Sequence, residues 1–221
     1  MKYNVYLTNF ILISILINVT LLGCSSQLSN SGNLLSTSTS SIPTKSPYDN
    51  RSQTAFHEFP PAQLQAIKAW NSKAKLYEIP PLRAMEKNLG YPRSLPGWFF
   101  MFKVENSPLE YYVEIRDTHL IGFTEAEPIL IQKLSYTLLP ININNKLLDS
   151  DKALKIYLEN GGEEYLTKHT NAEIDYRLVF VSGTPNPIWS IYDASDLTKP
   201  PIFNLDAVTG KKVNDPIPNV Y

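Results

Sequence analysis

The chain has 221 residues, 43% of them hydrophobic, with 20 Lys+Arg against 21 Asp+Glu and one cysteine. Nine glycines without a Gly-X-Y period exclude a collagen-like rod, and the hydrophobic content argues against disorder along the whole chain. A net charge of −1 with no basic block argues against nucleic acid as a partner, and a lone cysteine rules out an intramolecular disulfide or a Cys-based zinc cluster.

The first element in chain order is an apolar run from Val5 to Leu22, preceded by a single charge, Lys2, and densest over Phe10–Ile17. A short apolar core behind a basic residue is the pattern of a secretory signal. The run ends in Leu21-Leu22-Gly23-Cys24-Ser25-Ser26. This ending resembles a bacterial lipoprotein signal, with Leu three residues before the Cys and a small residue just before it. The resemblance implies that residues 1–23 are a signal peptide cleaved after Gly23 and that the Cys24 thiol carries a diacylglycerol. The membrane is then a partner through the lipid anchor, and the body is extracytoplasmic. Ser25 stands where an inner-membrane retention signal would have Asp, which implies the outer membrane in a cell with two. The alternative is a retained transmembrane anchor, against which Asn9, Asn18, Thr20 and the single Lys flank count. Without residues 1–23, 19 basic residues face 21 acidic ones.

Residues 24–58 read as the lipidated Cys and a flexible tether. Nine serines fall between positions 25 and 46, with no charge before Lys45. Such a segment buries too little apolar surface to offset its ordering entropy, and about thirty such residues reach roughly 30 Å.

The folded part is expected over Phe59–Val213. Pro61 suits a first helical turn, and Leu64, Ile67, Trp70, Ala74 and Tyr77 predict a helix over 61–77, stopped by Pro80-Pro81. Leu82–Asn88 is a second helical segment before Gly90. Strict alternation predicts strands at 98–104 and 109–115, joined into a hairpin by Glu105-Asn106-Ser107-Pro108. Thr118–Phe123, with Gly122 inside it, adds a third strand. Asp149-Ser150 then caps a helix over 151–160, ended by Gly161-Gly162. Strands come next at 176–182, 188–192, 202–206 and 211–213, with a Pro-rich insertion at Asp193–Pro201. The order of a helix and then antiparallel strands thus occurs twice. It predicts an α+β fold of tandem helix-plus-antiparallel-sheet units, the first over 59–147 and the second over 148–221.

The second half resembles a PepSY domain, on Asp151-Lys-Ala-Leu at the helix start, Trp189-Ser-Ile-Tyr in a strand, and Asn204-Leu-Asp-Ala-Val-Thr-Gly-Lys-Lys-Val213. The last run is similar to that family's closing hairpin, and its turn has a local logic. Asp206 can accept backbone hydrogen bonds, and Gly210 can take a positive φ. The likeness covers about 65 residues of the second half and, in the first, only the order of elements; the insertion departs from it. It implies a stand-alone module of a kind linked with peptidase inhibition.

Residues of chemical interest are sparse. His57, His119 and His169 lack metal-ligand spacing and read as surface or turn histidines. Glu163-Glu164 lacks the spaced oxygen donors of a calcium loop. Glu125 and Glu127 are acid/base candidates with no recognisable partner. There is no nucleophile motif and no Gly-rich phosphate cradle, so neither an enzyme nor a cofactor is expected. The candidate binding residues are Phe99, Met101 and Tyr112, alternating with the core-facing set and flanked by Lys103, Glu110 and Glu114. As an open sheet face they would meet another envelope protein. The alternative is that the halves pack together and bury them.

Overall fold

Seven antiparallel strands build the centre of the structure: β1 (Lys75–Ile79), β2 (Gly97–Lys103), β3 (Glu110–Arg116), β4 (His119–Ala126), β5 (Ile174–Val179), β6 (Ile188–Asp193) and β7 (Phe203–Asp206). They form one sheet in the order β4-β3-β2-β1-β5-β6-β7. The computed structural model describes residues 48–89, 96–116, 119–126, 137–196 and 198–214, all within the unit Thr44–Tyr221. The helices are α1 (Ala55–Ala69), α2 (Leu82–Leu89), α3 (Ser150–Tyr157) and α4 (Glu163–Lys168). The predicted α+β class is therefore what the chain adopts. Both halves lay down strands outward in sequence order from a central seam, where Glu78 pairs with Val179 and Ile79 with Leu178. Helix-then-strands does occur twice, and the two sets of strands share one sheet edge to edge.

α1 starts six residues earlier than expected and ends eight earlier. Thr54 caps it, accepting from the His57 N–H, and Pro60 and Pro61 fall inside it. Neither proline has an N–H for the carbonyl four residues back, so packing has to hold this turn. The buried side is Ala55, Ala62 and Ala66, whereas Leu64 is half exposed. Small residues let the helix approach the large side chains of β2, and Phe59 reaches between Phe100 and Phe102 at 6.2 and 6.4 Å. Residues 75–77, expected as the helix's last turn, instead open β1, the strand at the centre of the sheet. Leu76 and Ile79 are three apart, a spacing a helix also satisfies, so periodicity alone does not separate the two over five residues.

The predicted hairpin is present with its full register, from Gly97↔Arg116 to Lys103↔Glu110, and Asn106 takes φ 64° in its turn. β4 comes next as expected, with a bulge opposite Glu114/Ile115. Gly161-Gly162 does not end the helical region. The chain turns at Asn160 and Gly161, where φ is 98°, and α4 resumes at Glu163. At Gly162 a Cβ would lie 2.6 Å from the Tyr157 ring, so this glycine is required by close packing. The Asp206–Gly210 turn forms as expected. Asp206 Oδ1 accepts from the Val208 and Thr209 N–H at 2.8 Å each, and Gly210 has φ 70°. Lys212 then bridges back to Leu205.

The main core lies between the sheet and α1, α3 and α4, on Trp98, Phe100, Phe102, Val113, Tyr176, Leu178, Trp189 and Leu205. Phe99, Met101 and Tyr112 do share the opposite face, but they are not open. Each is about 2% exposed or less, packed under Leu82 and Met85 of α2 with Tyr77 and Leu138 against them. The expected display surface is thus a second, smaller core. The amphipathic helix α2 crosses the back of the sheet, and the sequence of the strand alone cannot reveal that cover.

Candidate functional site at the junction of the two halves

The first half and the second meet around Arg51, which lies in the stretch read from composition as tether. Its side chain is buried and reaches residues far along the chain. Nε donates to the Gly97 carbonyl at 3.0 Å, Nη1 to the Ile174 carbonyl at 3.4 Å, and Nη2 to Asp175 Oδ1 at 2.5 Å. The guanidinium carbon sits 4.5 Å from the Trp98 ring and 4.9 Å from the Tyr176 ring. Planar, delocalised and weakly hydrated, a guanidinium suits this mixed polar and aromatic seat better than an ammonium would. Burial works against its charge, but Asp175 and Asp49 outweigh burial and raise its pKa.

Asp175 is the hub. Besides Arg51, it takes the Arg83 N–H at 2.9 Å on Oδ2 and the Tyr176 N–H at 2.9 Å on Oδ1. One carboxylate of β5 therefore caps the start of α2, which Pro80-Pro81 leave without an N–H at those two positions. Arg83 continues the chain of charge. Nη1 meets Glu86 at 2.8 Å and Nε faces Glu173 at 3.5 Å. Glu86 in turn meets Arg116 at 2.9 Å, and Arg116 also pairs with Glu114.

Beside this hub opens a cleft of about 350 Å³ lined by Tyr48, Asn50, Arg51, Arg83, Glu173 and Asp175 among others. Its walls come from the entry segment, the start of α2 and the approach to β5, so both halves contribute. At its rim the side chains of Arg83 and Glu173 are 18% and 39% exposed, whereas Arg51 and Asp175 are closed into its floor. Small polar or charged groups fit such a setting, with the rim pair as the adjustable part.

A second joint lies at Asp149. Its Oδ1 accepts from Ser150 N–H at 2.7 Å and from Phe56 N–H at 3.0 Å, while Ser150 Oγ accepts from Ala55 N–H at 3.1 Å. The N-termini of α1 and α3 are thus capped by the same pair of residues, and one negative charge faces two positive helix ends. Burial raises the Asp149 pKa, with the hydrogen bonds from Thr54, Phe56 and Ser150 pulling the other way.

Of the residues singled out from sequence, Cys24 and Glu127 lie outside the described residues, and Glu125 is placed only by its register opposite Tyr111. His57, His119 and His169 are exposed. His57 and His119 both face Glu58, which is nearly closed from solvent, whereas His169 stacks on Tyr165 at 4.1 Å. Among the described residues no three His, Cys, Asp or Glu side chains form a metal-binding group, and no helix is long and apolar enough to cross a membrane. Sequence reasoning missed Arg51, Arg83, Asp149 and Asp175 as a set. One signal was available: Asp49 and Arg51 end the charge-poor Ser-rich stretch, so the composition changes near residue 48 and not at 59.

No protein-family model matches the chain, and no curated protein matches it. Among solved structures, the chain is similar to a Clostridium difficile 630 protein described as a "putative lipoprotein". The two share 11% identity over 71% of this chain and 90% of that one, with a TM-score of 0.38.

Proposed function

We propose that this chain is a lipid-anchored envelope protein whose α+β body is a non-catalytic binding module using the junction cleft. The anchor is read from Leu21-Leu22-Gly23-Cys24, and the Ser-rich stretch after it lets the body stand off the lipid surface. The observation that carries the binding reading is the cleft itself, about 350 Å³ with charged walls drawn from both halves. Its acids and cations are paired to one another, an arrangement suited to recognising a polar group by exchange of partners. A PepSY-like second unit is supported by the Asp206–Gly210 turn and by a helical region leading into three strands. That likeness makes an envelope peptidase one candidate partner.

A second reading, a structural or assembly lipoprotein, is favoured by the burial of Phe99, Met101 and Tyr112, which removes the surface first expected to bind. One measurement tests the anchor that both readings share, and two more separate them. Cells supplied with a labelled fatty acid should put label on the wild type in the membrane fraction, and Cys24→Ala should be unlabelled. A photo-crosslinker at the exposed Thr170 of the cleft should then capture a defined partner that one at Lys155 does not, and Thr170→Trp should abolish function without lowering Tm. Unchanged function in Thr170→Trp, with function lost in Cys24→Ala, would leave the structural reading and sink the binding one.

A further inference from the structure

A second groove opens at the other end of β1 from the junction cleft. The cleft adjoins Leu82 and Arg83, just past the end of β1, whereas this groove starts at Lys75 and Leu76, where β1 begins. It holds about 420 Å³ between α1 and the chain at 140–143. Phe59, Leu76 and Ile143 give it apolar walls, and Gln63, Lys75 and Asn142 are its polar groups. An apolar hollow of this size with a few polar groups is the usual make-up of a small-ligand site. The walls are fixed by contacts that leave those polar side chains unused. Phe59 packs against Phe100 and Phe102, and the Ile141 N–H donates to the Leu76 carbonyl at 2.7 Å. Asn144 Nδ2 donates to the Asn142 carbonyl at 3.1 Å, and Asn144 Oδ1 accepts from the Lys146 N–H at 2.9 Å. The side-chain amides of Gln63 and Asn142 make no hydrogen bond among the described residues.

Charge sets the sign of the ligand. Residues 59–77 hold Lys68, Lys73 and Lys75 and no acid, and residues 137–148 hold Lys146 and no acid. All four lysines are exposed. Elsewhere Lys155, Lys168 and Lys199 each meet a carboxylate within 4.0 Å, whereas none of these four forms an ion pair among the described residues. In register with Lys75 stands Lys103, and the acid nearest in that row, Glu110, is already taken by Lys103 at 3.0 Å and by the Tyr112 hydroxyl. The groove therefore lies in a positive field that favours an anion.

We propose that this groove binds a short apolar peptide that carries a carboxylate. Lys75 takes the carboxylate. The amides of Gln63 and Asn142, each both donor and acceptor, pair with the N–H and C=O of a peptide bond. Phe59, Leu76 and Ile143 seat an apolar side chain. The two amides separate a peptide from a simple fatty acid, which would leave them unused. Binding here requires nothing of the junction cleft.

The test is isothermal titration calorimetry on the full chain with acetyl-Leu-Phe-Leu, its C-terminal amide, and octanoate. The free acid should bind ~10-fold or more tightly than the amide, and Lys75→Met should remove that preference. Asn142→Trp, which fills the groove from an exposed position, should abolish binding, while Thr170→Trp in the junction cleft should leave it unchanged. An amidated peptide ending in Glu that matches the free acid assigns the carboxylate to a side chain, and weaker binding assigns it to a chain end. No binding, equal affinity for acid and amide, or octanoate binding as tightly as the peptide overturns the proposal. So does loss of binding in Thr170→Trp, which would place the peptide in the junction cleft. Should Asn142→Trp not fold, the acid-over-amide preference in Lys75→Met decides alone.

Discussion

Replacing Arg51 by Met tests whether the entry segment is part of the body or only its leash. Met keeps apolar bulk near Trp98 and Tyr176 and removes the cation. Asp175, 1% exposed, is then left as a buried carboxylate with only backbone donors, and the Gly97 carbonyl loses the Arg51 Nε–H at 3.0 Å. Removing one partner of a buried ion pair costs about 3–5 kcal/mol, because the remaining charge stays desolvated. A domain of 150–250 residues loses about 2–4 °C of Tm per kcal/mol, so Tm should fall by roughly 6–20 °C. Urea denaturation of Arg51→Met, Asp175→Asn and the double variant gives the pair energy directly. The double variant should be more stable than the sum of single losses by about 2 kcal/mol or more, since each single leaves an orphan that the double does not. If Arg51→Met lies within about 0.5 kcal/mol of wild type, or the two losses simply add, the hub is not a coupled pair and the tether reading stands for residues 48–54, ahead of α1.

Asp149→Ala should cost about 2–4 kcal/mol in urea melts, near twice a single cap, because it uncovers the starts of both α1 and α3; a loss of only ~1 kcal/mol would mean the Phe56 bond contributes nothing. Gly162→Ala should destabilise by about 1–3 kcal/mol, as its Cβ must displace the Tyr157 ring from 2.6 Å, and a neutral result in a thermal melt would contradict that packing. At Gly161 nothing lies within 4 Å, so the cost of Gly161→Ala should come from φ 98° alone, about 1 kcal/mol, and Gly161→Asn should recover part of it. Glu58 gives a pH prediction. Burial raises its carboxyl pKa, with His57 and His119 pulling the other way. A folded pKa above the unfolded value of about 4.3 means that its contribution is fully present below about 4.3 and is lost as pH rises through the folded pKa. Glu58→Gln should therefore gain on wild type between about pH 4 and 7, read as the Tm difference at each pH; a difference that shrinks with rising pH would reverse the assignment.

What could be read from the sequence was what is decided locally. The 98–115 hairpin comes from alternation and a polar turn, and the Asp206–Gly210 turn from a side chain that reaches two and three residues on. The departures share one cause. The start of β1 reads as the end of a helix because so short a run fits both periods, and only its place between β2 and β5 decides. Phe99, Met101 and Tyr112 lie on the predicted face, yet whether that face is open depends on where α2 crosses. Arg51 is the least legible of all, since its partners Gly97, Ile174 and Asp175 are brought to it by the fold. Charge at the end of a polar segment marks a boundary, but nothing local names the acid that will meet it.

The seam explains why the unforeseen residues are the ones that matter. β2 and β3 share seven register pairs, whereas β1 and β5 share two. Two backbone pairs are too few to hold two half-sheets in one orientation, because neighbouring strands twist by roughly 20–25° and a short ladder leaves that angle loose. Side chains supply the difference. Glu78 and Arg177 pair across the seam within its buried back, Trp98 and Tyr176 meet at 5.6 Å on its front, Arg51 bonds to Gly97 on one side and to Ile174 and Asp175 on the other, and Asp149 holds α1 to α3. Most of these joints are charged or polar, so they are directional and set an angle where apolar contact alone would permit sliding. The cleft opens where that angle is set. A group that exchanged with the Arg83–Glu173 pair would touch both halves at once, so on the proposed reading recognition there would be coupled to the geometry of the whole sheet.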